Sequence, residues 1–137
     1  MAPAYKISKT IKLKPMIDPT HLRKGNLVCI AHESNAPIAT ISEIHASGAV
    51  VSYDPLLSEE FCIFKFIMPI ELNSHWMDRC GFKTPDGYHI SVLYNEIMID
   101  FHLGEYKLRD RPKTQLKYLH QLQNIFFWLA GEELVIN

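Results

Sequence analysis

The stretch Leu22–Tyr53, LRKGNLVCIAHESNAPIATISEIHASGAVVSY, decides how the rest of the chain is read. It holds three short runs rich in β-branched residues, Leu27–Ala31, Ile38–Ile44 and Ala49–Tyr53. Turn chemistry precedes each of them: Gly25-Asn26, then Ser34–Pro37, then His45–Gly48. Val, Ile and Thr pack well on a pleated surface, while Gly, Asn and Pro supply the backbone angles that turns require. Three strands at this spacing, joined by connections too short for a helix, predict an antiparallel meander or a small SH3-like barrel.

Working outward, Phe61–Ile67 is an apolar run interrupted only by Lys65, which its aromatic content makes a strand ended by Pro69. ELNSHWMDRCGF (Glu71–Phe82) predicts a short helix, capped by Asn73 or Ser74 and stopped by Gly81. Its Leu72, Trp76 and Cys80 recur every fourth residue and face a core, with Met77 beside them. Thr84–Gly87 is a turn, and Tyr88–Tyr94 and Ile97–Leu103 form an antiparallel hairpin through Asn95-Glu96. Gly104–Leu108 adds a third strand. Asp110 then caps a long helix with Pro112 in its first turn, running to about Ala130 and ended by Gly131, before a closing strand at Leu134–Ile136. The fold class is α+β: a small SH3-like or meander barrel, a short helix, a hairpin, a long C-terminal helix and a short last strand. One domain spans residues 1–137, with a basic N-terminal arm or edge strand over 1–20, a barrel-like part over 22–70 and a helix-hairpin-helix part over 71–137. In the arm, Ile7, Ile11 and Leu13 are interleaved with Lys and Thr.

Projected at about 100° per residue, KYLHQLQNIFFWLAGEELVIN (Lys117–Asn137) has two apolar faces. Tyr118, Leu119, Leu122, Ile125, Phe126 and Leu129 make one stripe. Leu116, His120, Gln123 and Phe127 make a second on nearly the opposite side, and Lys117, Gln121, Asn124 and Trp128 fill a flank. A helix apolar on two faces is sandwiched between two layers. His120 and Gln123 then point at the second layer and hydrogen-bond a strand edge or a turn, because buried polar groups are paired. The competing reading makes His120, Gln123 and Asn124 the wall of a pocket for a base or other small, nucleotide-like ligand.

Composition is that of an ordinary globular chain: 137 residues, 47% hydrophobic, 21% charged. No window approaches the run of about 20 apolar residues that spans a bilayer, and the lysines of MAPAYKISKTIKLKP are not followed by an apolar signal region. These features predict cytoplasmic residence and no membrane partner. Cys29, Cys62 and Cys80 are odd in number and widely spaced, which predicts free buried thiols instead of disulfides or a zinc site. The net charge of −1 is unevenly spread, with six bases against one acid in residues 1–24, three against eleven in 25–105, and five against three in 106–137. The last group supplies a basic segment, Lys107, Arg109, Arg111, Lys113 and Lys117, able to contact phosphates.

The seven histidines show no metal-binding spacing, and there is no glycine-rich phosphate loop or nucleophile elbow. Glu132 and Glu133 are adjacent at a helix end, where side chains diverge into solvent. No catalytic residue, metal or cofactor is predicted.

Three segments carry a resemblance. Leu22, Arg23, Gly25, Asn26 and Val28 fit L-R-x-G-N-x-V, and Pro69, Ile70, Leu72, Trp76, Gly81 and Phe82 fit P-I-x-L-x-x-x-W…G-F. The C-terminal residues fit Y-x-H-Q-L-Q-N-x-x-F-x-L-x-G-E-E-L from Tyr118 to Leu134. In this order they resemble a family of small uncharacterised proteins from Bacteroidota genomes, prophages and phages. Asn73-Ser74-His75 replaces that family's usual Thr-Glu-Glu, and Ala130 its usual Thr. The resemblance implies a phage or prophage association and no particular activity. Together with the absent catalytic motifs, it predicts a non-enzymatic binding or adaptor protein whose partner is a nucleic acid or a host or phage protein. A ligand-binding protein or enzyme with a pocket near His120 is the alternative, and a virion structural component a further one.

Overall fold

A computed structural model describes residues 17–31, 37–53, 58–82, 90–94 and 97–137. The basic arm before Ile17, most of the Ser34–Pro37 turn, the Thr84–Gly87 turn and the Asn95-Glu96 turn lie outside the described residues. The architecture is α+β, as the sequence predicts.

The barrel-like part is a five-stranded antiparallel sheet of β1 (Leu27–Ile30), β2 (Ile38–Ile44), β3 (Gly48–Ser52), β4 (Glu59–Ile63) and β5 (Ile67–Met68). Its order, β4-β3-β2-β1-β5, is a four-strand meander followed by a fifth strand that returns to pair with the first, curling the sheet into the SH3-like arrangement. The Phe61–Ile67 run is not one strand. A 3-10 turn at Phe64–Phe66 breaks it, and this break swings β5 across to β1, where Ile67 lies opposite Ile30. Alternation follows the pleat, so Val28 and Ile30 of β1 face a core with Ile41, Val51 and Ile67. Leu27 and Cys29, on the other face of β1, pack against a second core. One strand is therefore a wall shared by both halves of the molecule.

That second core lies among a short helix α1 (Ser74–Arg79), a four-stranded sheet and the C-terminal helix. Asn73 caps α1, its Oδ1 accepting from Trp76 N at 3.0 Å, and Gly81 follows the helix at φ 86°. The second sheet has the order β6-β7-β8-β9, formed by Ile90–Tyr94, Ile97–His102, Glu105–Leu108 and Arg111–Leu116. The predicted hairpin and its third strand are present.

The helix predicted from Asp110 is corrected. Residues 111–116 form β9, paired antiparallel with β8 through Tyr106 opposite Leu116 and Lys107 opposite Gln115. The helix, α2, covers only Leu119–Ala130. Asp110 and Pro112 suit a helix start, but pairing with β8 and burial of Leu116 (1% exposed) outweigh that local signal. Gln121 performs the cap instead, its Oε1 accepting from Tyr118 N at 2.9 Å and Lys117 N at 2.8 Å. The closing strand at Leu134–Ile136 is also absent. The tail is fixed to α1 by Asn137 N donating to Arg79 O at 2.9 Å and Arg79 Nε donating to Asn137 O at 2.7 Å.

β7 and β8 meet at a two-residue turn in which both central residues are left-handed, Leu103 at φ 53° and Gly104 at φ 79°. A leucine pays strain there that asparagine largely avoids, and the Leu103 side chain is 86% exposed, so no packing offsets it. L103N should raise stability by about 0.5–1 kcal/mol, read as a higher urea midpoint at unchanged m-value. An unchanged or lower midpoint would show that the leucine is held by something beyond the turn.

Candidate functional site

The polar row of α2 is held against the barrel, and its partners are the residues of the Leu22–Val28 segment. Gln123 is 3% exposed. Its Oε1 accepts from Leu27 N at 2.9 Å and from Asn26 Nδ2 at 3.4 Å, and its Nε2 donates to Gly25 O at 3.1 Å. Asn124 Oδ1 accepts from Asn26 Nδ2 at 2.9 Å and Arg23 Nε at 3.1 Å, and its Nδ2 donates to His21 O at 2.7 Å. Arg23 continues the chain of contacts with two bonds to Glu133, at 2.5 and 3.0 Å, and lies 4.3 Å over the Phe127 ring.

Local chemistry shapes the turn that receives these bonds. Gly25 takes φ 97°, and fully buried Asn26 accepts from Arg23 N through its Oδ1 at 2.7 Å. The backbone of the turn is tied to β2 by Gly25 N donating to Ile41 O at 2.8 Å and Ile41 N donating to Asn26 O at 2.9 Å. Arg23 holds the Glu133 carboxyl below the usual carboxylate range, first through the hydrogen bonds and then through its charge. The amides of the Gln-Leu-Gln-Asn run thus cap the helix and clamp it to the barrel. Arg23 and Asn26 are the partners that sequence reasoning did not assign, although both lie in a motif it singled out.

His120 takes no part in the clamp through Nδ1. The residue is 3% exposed and stacked on Tyr118 at 5.9 Å between ring centroids, yet its Nδ1 has no hydrogen-bond partner. Burial, and secondarily the charge of His21, lowers its pKa to about 4, so the ring is neutral at physiological pH. Asn124 borders one cavity beside α2 and Gln123 another. Gln123 and Asn124 converge on Asn26, and His120 is buried apart from them in its hydrogen bonding.

The basic segment stands together on the β8–β9 ribbon. Lys107 reaches Glu105 at 3.6 Å, and Arg109, in the turn, grips Asp100 at 2.5 and 3.0 Å. Arg111, Lys113 and Lys117 are exposed and make no ion pair with a described residue. Lys113, Gln115 and Lys117 are exposed while Thr114 is half-buried and Leu116 buried, and Gln115 lies opposite Lys107 before the register shifts towards Arg111. Lys117 Nζ also lies 5.6 Å over the Tyr118 ring.

Among the described residues no group of three His, Cys, Asp or Glu side chains converges as metal ligands, and no helix is long and apolar enough to cross a membrane. No disulfide joins Cys29, Cys62 and Cys80, and burial pushes the Cys80 thiol up to about 12, which removes it as a nucleophile near neutrality. No family model, curated protein or solved structure matches this chain.

Proposed function

We propose that the chain is a non-enzymatic binding module, cytoplasmic and of phage or prophage origin, that meets nucleic acid through the solvent face of the β8–β9 ribbon. The observation that carries this reading is the set of exposed cations Arg111, Lys113 and Lys117, unpaired with described residues, on and just after a bulged strand. Phosphate contacts from Lys and Arg dominate nucleic-acid affinity, and a two-stranded ribbon is a known way to present them. The clamp supports the same reading from the other side, because Gln123 and Asn124 are occupied in holding the fold. His120 offers no exposed ring to a small ligand.

Fluorescence anisotropy with labelled oligonucleotides at several salt concentrations tests this. Three neutralised phosphates give a log–log salt slope of about −2.7 on duplex or about −2.1 on a single strand. R111E/K113E/K117E should weaken binding at least tenfold while leaving the circular dichroism spectrum unchanged. Binding that survives the triple reversal moves the interface elsewhere. No binding of DNA or RNA even at low salt removes nucleic acid as the partner and favours a protein.

A further inference from the structure

A cavity lies between the Pro19–His21 turn, β9 and α2, with the clamp residues Arg23 and Asn124 on its wall. Its volume is about 410 Å³, with Leu22, Leu116, Ile125 and Trp128 among its apolar walls and Gln121 and Asn124 beside them. That is the size of pockets that take small organic groups, about 300–1,000 Å³. Leu22 and Leu116 are buried in its floor, while Trp128 is 72% exposed at its mouth. Cations cover other rings of the molecule: Arg23 lies over Phe127, Arg79 over Trp76 and Lys117 over Tyr118. No described cation or ring covers the Trp128 indole.

β9 is the edge of its sheet, so an added peptide strand is the obvious alternative occupant. Pro112 argues against it. A proline supplies no N–H to a new ladder, and flanked by Arg111 and Lys113 it has the composition by which edges are protected from pairing. An unpaired base needs something different: an apolar slot, an open aromatic face and flanking cations. Exposed Lys113 and Lys117 immediately precede and follow the Thr114–Leu116 wall in the chain.

We propose that this groove receives an unpaired nucleobase stacked on Trp128, with the phosphates on either side of it held by Lys113 and Lys117. The inference rests on the nucleic-acid reading above and narrows its ligand to single strands, since a duplex offers no base to the slot.

Titration of the wild-type protein and W128A with a short thymidine oligomer and with a matched duplex tests it, following anisotropy and tryptophan emission together. Trp76 is buried and common to both proteins, so a difference in emission reports Trp128. The single strand should bind more tightly than the duplex and quench emission saturably in the wild type alone. W128A should lose roughly tenfold in single-strand affinity, within the about 1–3 kcal/mol that a stacked base contributes, and keep its duplex affinity. W128F should recover most of the loss. Oligomer binding that leaves Trp128 emission unchanged, or that W128A does not weaken, overturns the stacking site and leaves the phosphate contacts standing, as a groove made for apolar peptide side chains would. If neither nucleic acid binds, both readings fall.

Discussion

Gln123→Leu should lower the free energy of unfolding by about 3 kcal/mol, although the two side chains have similar volumes. The amide makes one acceptor and one donor bond to the backbone of the Gly25–Leu27 turn, at 2.9 and 3.1 Å, in a site that is 3% exposed. Leucine leaves Leu27 N–H and Gly25 C=O facing apolar surface, and each buried group left unpaired costs about 1–3 kcal/mol. The comparison that makes the number informative is E133Q. Its carboxylate also grips Arg23, but Arg23 and Glu133 are 24% and 52% exposed, and solvent-screened pairs contribute about 0–1 kcal/mol. The clamp therefore has a deep half and a shallow half. Urea denaturation of both variants separates them: Q123L shifts the midpoint severalfold more than E133Q. Equal shifts would mean that the amide bonds do not hold the barrel to the helix.

This arrangement explains what in the chain was legible and what was not. The barrel strands could be read because each short β-branched run is bracketed by turn residues whose backbone needs are local. The two faces of α2 were legible in part: Leu119, Leu122 and Phe126 are buried on one side and His120 and Gln123 on the other, while Leu129 and Phe127 are exposed and Leu116 belongs to β9. The segment 110–118 misled because Asp110 and Pro112 obey helix-start rules, while its true pairing partner is set by sheet register eight residues away, Lys107 against Gln115. A period-two signal was present in Arg111, Lys113, Gln115 and Lys117, alternating with Thr114 and Leu116. The identity of the clamp was not legible at all. Gln123 and Gly25 are 98 residues apart, and nothing in either segment's own pattern names the other. Once the fold joins them, the Leu22–Val28 and Tyr118–Leu134 segments are seen to be hydrogen-bond partners. The second joins the same seam, with Leu72 N donating to Lys117 O at 2.9 Å and Leu119 N donating to Ile70 O at 2.8 Å. All three segments meet at the seam between the barrel and the helix.

His120 lies beside this seam and gives the second large effect, an acid lability that one substitution removes. Its pKa falls from a usual 6.5 to about 4 in the folded protein, burial being the main cause. Because the folded value is the lower one, the unfolded chain binds the proton first. Stability is therefore full above about pH 6.5, declines as pH falls towards 4, and by then has lost about 3 kcal/mol at about 1.4 kcal/mol per unit. Glu133 and Asp18, whose folded pKa values lie below usual, contribute stability lost only at lower pH, as their own carboxyls protonate. The two windows can thus be told apart. His120→Phe keeps a ring to stack on Tyr118 and removes a buried Nδ1 that has no partner, so at pH 7.5 it should match or exceed the wild type. Between pH 6.5 and 4 the H120F curve should be nearly flat where the wild type falls. Chemical denaturation across this range decides the matter. A wild-type slope retained in H120F would assign the acid lability to other groups, and a large loss at pH 7.5 would show that the imidazole holds a bond through its other nitrogen.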